Sequence, residues 1–179
     1  MKLFNLDKKS TISILMLSMV IGGISGFIYE EIFYLIDLGY LVKRGSTYGP
    51  WIPIYAFGTL FIILFSYRFR KNPLFIFLIN CLVTGILEYG TGFVLHRFFN
   101  IRLWDYNTEI LNFGNINGYI CFRSVVLFGG ASLFLVYVVV PLLLKLLNKF
   151  KYKKFSIISY SLFSLFVLDM ILHYIFVGF

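Results

Sequence analysis

The stretch Gly39-Tyr-Leu-Val-Lys-Arg-Gly-Ser-Thr-Tyr-Gly-Pro-Trp-Ile-Pro-Ile-Tyr-Ala-Phe-Gly58 lies between two apolar runs and is built unlike a plain connector. Gly45, Gly49 and Gly58 permit unusual backbone angles, while Pro50 and Pro53 fix φ and remove two N–H donors. Lys43 and Arg44 add charge beside Tyr48, Trp51 and Tyr55. The apolar run that follows, about Pro53 to Tyr67, is short against the roughly 20 residues a bilayer requires. Part of Tyr48–Ile52 is therefore expected at membrane depth, as a re-entrant plug that delivers Arg44 to carboxylates on neighbouring helices.

Composition supports the membrane setting. Of 179 residues, 60% are hydrophobic and 13% charged, and the mean hydropathy is +0.88. Soluble domains carry about 25% charged residues. The net charge of +8 would suit nucleic acid in a soluble protein. Here the basic residues fall between apolar runs, where they set orientation, so a nucleic-acid partner is rejected. Cys81 and Cys121 lie in different runs, expected near opposite membrane faces, too far apart for a disulfide. Both are read as packing residues.

In chain order, a polar tail over residues 1–10 precedes a single transmembrane domain, 11–179. Five helices are expected, at about 11–36, 53–67, 73–98, 118–147 and 155–176. The first exceeds the roughly 7–15 residues of a signal core and lacks a small-x-small cleavage pattern, so it is read as a retained span. Gly22, Gly26 and Glu30 recur every four residues on it, placing two glycines beneath a carboxylate on one face. On the third helix Gly85, Glu88, Gly92 and His96 share a face in the same way. This pattern, repeated with a following Arg- and Trp-containing loop and a returning helix, is a weak internal echo of the kind parallel repeats leave.

Orientation follows from the basic residues. Eleven cluster on one side: Lys2, Lys8 and Lys9; Arg68, Arg70 and Lys71; Lys145, Lys149, Lys151, Lys153 and Lys154. The other side has five: Lys43, Arg44, Arg97, Arg102 and Arg123. The richer side is cytoplasmic, which puts the N-terminus inside and the loops 39–58 and 99–117 outside, with Trp51 and Trp104 at the outer interface.

Ionisable groups within a span are costly, about 2.5–3.5 kcal/mol each at the centre, so they pair or line a wet cavity. Glu88 and Glu30 are the inward candidates, either as structural ion pairs or as a functional polar site. Arg44 and Arg123 are their natural partners, since a guanidinium forks onto a carboxylate or a phosphate. Asp105, beside Trp104 and Tyr106, is expected to cap a short re-entrant helix or to join the network. Asn112 would satisfy loop backbone. Asp169 and His173 share a face of the fifth helix, as a buried hydrogen bond or a proton relay. A metal centre is not expected, because Glu88 and His96 are about 12 Å apart along their helix. No phosphate loop, H-E-x-x-H or G-x-S-x-G is present, and no cofactor is called for.

Gly26-Phe-Ile-Tyr-Glu30, Arg44-Gly45, Gly49-Pro-Trp-Ile-Pro-Ile-Tyr55 with Gly58, Glu88-Tyr89, Trp104-Asp-Tyr-Asn107, Asn112 and Gly118 form an ordered signature. It resembles the putative ABC-transporter type IV family, bacterial multi-span membrane proteins, over about Gly26 to Gly130. The resemblance implies a permease-like role in the bacterial cytoplasmic membrane. Three positions depart from the family pattern: Ala56 for a glycine, His96 for an acid and Tyr119 for an arginine. The last two imply that a charge pair of some relatives is absent here.

The expectation is thus an all-α, five-helix polytopic protein with a polar site of Glu30, Arg44, Glu88, Asp105 and Arg123 in the outer half of the bilayer. Gly45, Gly49, Pro50, Trp51, Pro53, Tyr55, Trp104, Tyr106, Asn112 and Gly118 shape the loops around it. Three functions compete: a transporter or permease-like component, an outer-leaflet lipid-binding or lipid-modifying enzyme, and a non-catalytic accessory subunit. Membrane lipids, further copies of the chain, and a partner membrane or ATPase subunit are the expected partners.

Overall fold

The computed structural model describes residues 3–150 and 152–177. Met1 and Lys2 of the expected tail, and Lys151 of the basic turn, lie outside the described residues. Among these the chain is helical, with one isolated bridge, Ile116 to Ile120.

Five helices carry the fold: α1 Lys8–Leu38, α2 Pro53–Ser66, α3 Pro73–Phe99, α4 Phe122–Lys149 and α5 Tyr152–Phe176. Local signals set the ends. Asp7 caps α1 by accepting the Ser10 N–H at 3.1 Å, and Gly39 stops it in the left-handed region at φ 79°. Asn72 caps α3 through Phe75 N–H, with Pro73 in the first turn, and Asn100 closes it at φ 57°. A proline costs nothing there, because a first-turn N–H has no intrahelical partner.

The fourth helix starts later than expected, at Phe122 rather than Gly118. Asn117 and Gly118 both have positive φ, 57° and 74°, and no helix can run through them. A π-helical turn, Leu135–Val139, ends two residues before Pro141. That wider turn accommodates the ring and missing N–H of a proline inside a long helix.

Four helices, α1, α3, α4 and α5, are long and apolar enough to cross a membrane. The fifth expected span, α2, is shorter: its 14 residues rise about 21 Å against a hydrocarbon core of about 30 Å. The segment before α2 packs beside α1. Ile52 N–H donates to the Gly23 carbonyl at 3.0 Å, and Gly23 is the midpoint of the 31-residue α1. The chain after α1 therefore descends to mid-helix depth as irregular backbone before α2 begins. At its other end, α2 is level with the start of α1, where the rings of Tyr67 and Phe4 meet edge-on at 5.8 Å.

Small residues permit the close packing. A Cβ at Gly22 would lie 2.0 Å from Thr59 Oγ1, and one at Gly26 would lie 2.2 Å from the Tyr55 ring. The glycine face of α1 is thus the seat of α2. α5 packs on the same helix, and α4 packs on α3, giving a group α1–α2–α5 beside a pair α3–α4. One apolar core, including Leu3, Ile14, Ile63, Ile76 and Val140, fills the end where the chain starts. A second, Met19, Val20, Trp51, Ala56 and Phe166, packs the segment before α2. Outward faces stay apolar: Leu74, Leu78, Leu82 and Ile86, four apart on α3, are 56–66% exposed. Such stripes need lipid, since water would leave them unburied at about 25 cal/mol per Å². Cys81 and Cys121 are both free thiols.

Candidate functional site

Two loops and three helices meet above the Gly22–Gly26 face. Glu30, one turn beyond Gly26, accepts from Arg44 Nε at 3.1 Å. The adjacent Glu31 takes the backbone N–H of Arg44 at 2.9 Å. The two carboxylates point apart on the helix, and between them they grip both the side chain and the main chain of one residue. The Arg44 guanidinium also lies 3.9 Å from the centre of the Tyr34 ring.

Tyr34 carries the network onward by donating its hydroxyl to Glu109. Glu109 comes from the second loop, is 8% exposed, and accepts from Arg123 Nη2. Arg123 in turn stacks over Phe33 at 4.0 Å. Glu30, Arg44, Tyr34, Glu109 and Arg123 thus form one continuous chain from α1 to α4. Charge-assisted bonds of this kind are short and strong, and buried pairs hold only when both members are satisfied. Arg123 is satisfied in part: its Nε and Nη1 are buried without a hydrogen-bond partner.

Glu88 is different. It is 5% exposed, fifteen residues into α3, and accepts from the Tyr106 hydroxyl and from Ser124 Oγ at 2.9 Å. Neither expected arginine reaches it. Among the described residues no cation stands within ion-pair distance of it, with Arg123 across the same chamber. Burial beside this carboxylate pushes the Tyr106 phenol above its ordinary range, so Tyr106 remains a donor.

The sequence expectation that Asp105 caps a re-entrant helix or joins this cluster is corrected. No helix forms there, and Asp105 pairs with Arg102 at 3.0 Å, about one-third exposed. Its carboxylate also accepts from Asn107 N and Nδ2, an Asx turn that ties the loop to itself. Gly118 lies under this knot: a Cβ there would stand 2.0 Å from Arg102 Nη2 and 2.4 Å from Asp105 Oδ1. Asn112 donates to Asn107 O at 3.3 Å within the same loop. Trp104 packs over Gly92 and donates to Tyr119 O at 2.9 Å.

Asp169 and His173 do not bond to each other. Asp169 instead accepts from Tyr48 N at 3.1 Å, Gly49 N at 2.8 Å and Trp51 Nε1. It anchors the segment before α2, and His173 meets the Tyr48 ring edge-on at 5.0 Å. Gly49 lets the chain turn under Trp51, whose ring a Cβ would meet at 2.7 Å, and Gly45 holds φ 88°. Pro50 sits exposed at the tip, and Pro53 opens α2. Tyr55 fills the space over Gly26. His96 and Tyr119, the two departures expected to remove a charge pair, hydrogen-bond to one another at 2.6 Å.

The sequence reading missed Tyr34, Glu109 and Ser124. Glu109 is one of only eight acidic residues, which was a usable signal, but no periodicity marks a loop residue. Tyr34 is one tyrosine among 13 and has none.

These residues border two partly open spaces. A small chamber of about 40 Å³ is bordered by Glu30, Tyr34, Glu109 and Arg123 among apolar and aromatic side chains. Beneath it, between the two helix groups, lies an apolar cavity of about 540 Å³ bordered by α1, α2, α3 and α4. Glu88, Tyr29, Ile54, Tyr55, Leu127 and Phe128 border both.

Such a fold and site define a multi-helix membrane protein with an ion-paired polar centre set over an apolar cavity. The chain belongs to the family described as putative ABC-transporter type IV, whose model matches residues 17–174. That match extends through most of α5, beyond the Gly26 to Gly130 signature. No curated protein and no solved structure matches the chain.

Proposed function

We propose that the protein is a permease-like component of a membrane transporter, working through the polar site in the outer half of the bilayer. One observation carries this reading. Glu88, a buried carboxylate without a counter-ion, stands where the ion-paired chamber meets a cavity of about 540 Å³. A group fixed for stability alone has little reason to border so large a space. The family description supports transport as the class.

In this reading α2 and its re-entrant segment together count as the fifth crossing, the N-terminus is cytoplasmic, and the membrane is that of a bacterial cell. Five helices enclose little volume, so a second copy or an ATPase subunit completes the transporter. Arg44 holds the re-entrant segment to α1 and keeps the chamber narrow, and movement of that segment widens it. The family description carries more weight than the lipid-enzyme reading, whose headgroup phosphate would have to displace a carboxylate from Arg44 or Arg123.

The test is reconstitution of the chain into liposomes, alone and with its co-purifying subunits, followed by proton and solute flux. Flux that Glu88→Gln removes supports the proposal. Absence of flux, together with a Glu88→Gln strain indistinguishable from wild type, overturns it.

A further inference from the structure

The charges around the chamber do not balance. Glu30, Glu88 and Glu109 supply three carboxylates, while Arg44 and Arg123 supply two cations. Each arginine is committed to a carboxylate, Arg44 to Glu30 and Arg123 to Glu109, which leaves Glu88 as the residue without a positive partner. Glu31, which holds the Arg44 backbone, only deepens the deficit. A buried carboxylate in a span either takes up a proton or meets a cation, and the large space beside Glu88 offers room for the second.

Size decides where that charge would sit. A chamber of about 40 Å³ holds about three waters at roughly 10–15 Å³ each by this measure. A phosphate or carboxylate head reaching the unpaired Nε and Nη1 of Arg123 would have to enter beside Glu30, Glu88 and Glu109, three acidic residues that border the same space. The cavity of about 540 Å³ falls within the roughly 300–1,000 Å³ of small-molecule sites, and its walls are apolar apart from Glu88 and a few hydroxyls. Its junction with the chamber is bordered by Tyr29, Tyr55 and Phe128, with Ile54 and Leu127, beside Glu88. Aromatic faces around a carboxylate are the chemistry that recognises an ammonium.

We propose that this cavity binds a lipophilic cation, with its positive group between Glu88 and the three rings and its apolar body in the space between the helix groups. The inference rests on the transport reading above and names the substrate class of that same site. Ser25, Gly130 and Ala131 border the cavity and are exposed on the outer surface, so such a ligand enters sideways from the lipid.

The test is equilibrium binding of radiolabelled tetraphenylphosphonium to the full chain in nanodiscs of zwitterionic lipid. Saturable binding is expected, displaced by dodecyltrimethylammonium and not by dodecyl phosphate. Glu88→Gln should weaken it about tenfold or more, equivalent to about 1.4 kcal/mol. Gly130→Phe is the second variant: a Cβ there meets no atom within 4 Å, so the side chain starts in open space at the cavity border, and binding should fall while the thermal melt, measured alongside, is unchanged. No saturable binding to the wild type would mean that Glu88 carries its own proton, and the proposal fails. Displacement by dodecyl phosphate alone, or full affinity in both variants, also overturns it. Cation binding without flux would overturn the transport role and leave this site standing; flux without cation binding does the reverse.

Discussion

Arg123 and Glu109 show most clearly how much a single charge matters here. Glu109 is 8% exposed and Arg123 is its one ion-pair partner among the described residues. Arg123→Ala therefore strands a buried carboxylate and should cost about 3–5 kcal/mol. Arg123→Ala combined with Glu109→Gln should recover part of that loss, because the stranded charge is gone. Thermal unfolding in detergent checks both; a double variant no more stable than Arg123→Ala would contradict the pairing. Asp169 offers a second test, since it receives three N–H groups from the segment before α2. Bonds to a charged acceptor contribute about 1.5–3 kcal/mol each. Asp169→Ala should therefore raise amide exchange across 44–52 while α3 and α4 stay protected. Unchanged exchange there would mean that Trp51 packing alone holds the segment. Of these residues the sequence offered Arg123 and Asp169 as candidates, each with a different partner from the one it has. A partner drawn from a distant loop leaves no trace in local spacing.

Packing of whole elements is governed by the glycine face of α1. Gly26→Leu must displace the Tyr55 ring, which stands 2.2 Å from the added Cβ, and overpacking of this kind costs about 1–3 kcal/mol. The damage should extend beyond stability, because Tyr55 and Glu30 flank the same chamber. By contrast Gly90, also within a helix, has nothing within 4 Å. Gly90→Ala should stabilise α3 by about 0.5–1 kcal/mol through backbone entropy. Opposite signs in the two melting temperatures are the expected result, and equal signs would contradict the packing described. The spacing of Gly22 and Gly26 announced a close helix contact; that the contact is α2 followed from the descent of 40–52, which no periodicity encodes. Helix α4 teaches the same lesson. Its apolar run extends back to Gly118, but the left-handed backbone at Asn117 and Gly118 delays the start to Phe122.

For the whole molecule, the orientation set by the basic residues makes a direct prediction. With Cys81 and Cys121 replaced by serine, single cysteines at Lys71 and Asn148 should react with an impermeant maleimide only after the cells are opened. Cysteines at Tyr40 and Leu111, both exposed at helix-external positions, should react in intact cells. Labelling of Lys71→Cys in intact cells would reverse the orientation. Cysteines at Trp51 and Ile52, which are 6% and 7% exposed, should resist the reagent in both cases, since their segment lies inside the protein rather than on its outer face.

The sequence by itself determined the membrane class, the helical fold, most helix boundaries to within about three residues, and the loops where polar chemistry collects. Those properties follow from composition, from apolar run length and from caps, all of which act over a few residues of chain. The stretch Gly39–Gly58 also announced its own descent, because the helix after it was too short. Only the tertiary structure decided which acid met which base. It gave Arg44 to Glu30, brought Glu109 from the far loop to Arg123, tied Asp105 to its own loop, and left Glu88 without a cation at the edge of a cavity. The reason is physical: ion pairing and cavity shape depend on distances between elements, and those distances are set by how the glycine faces allow the helices to approach.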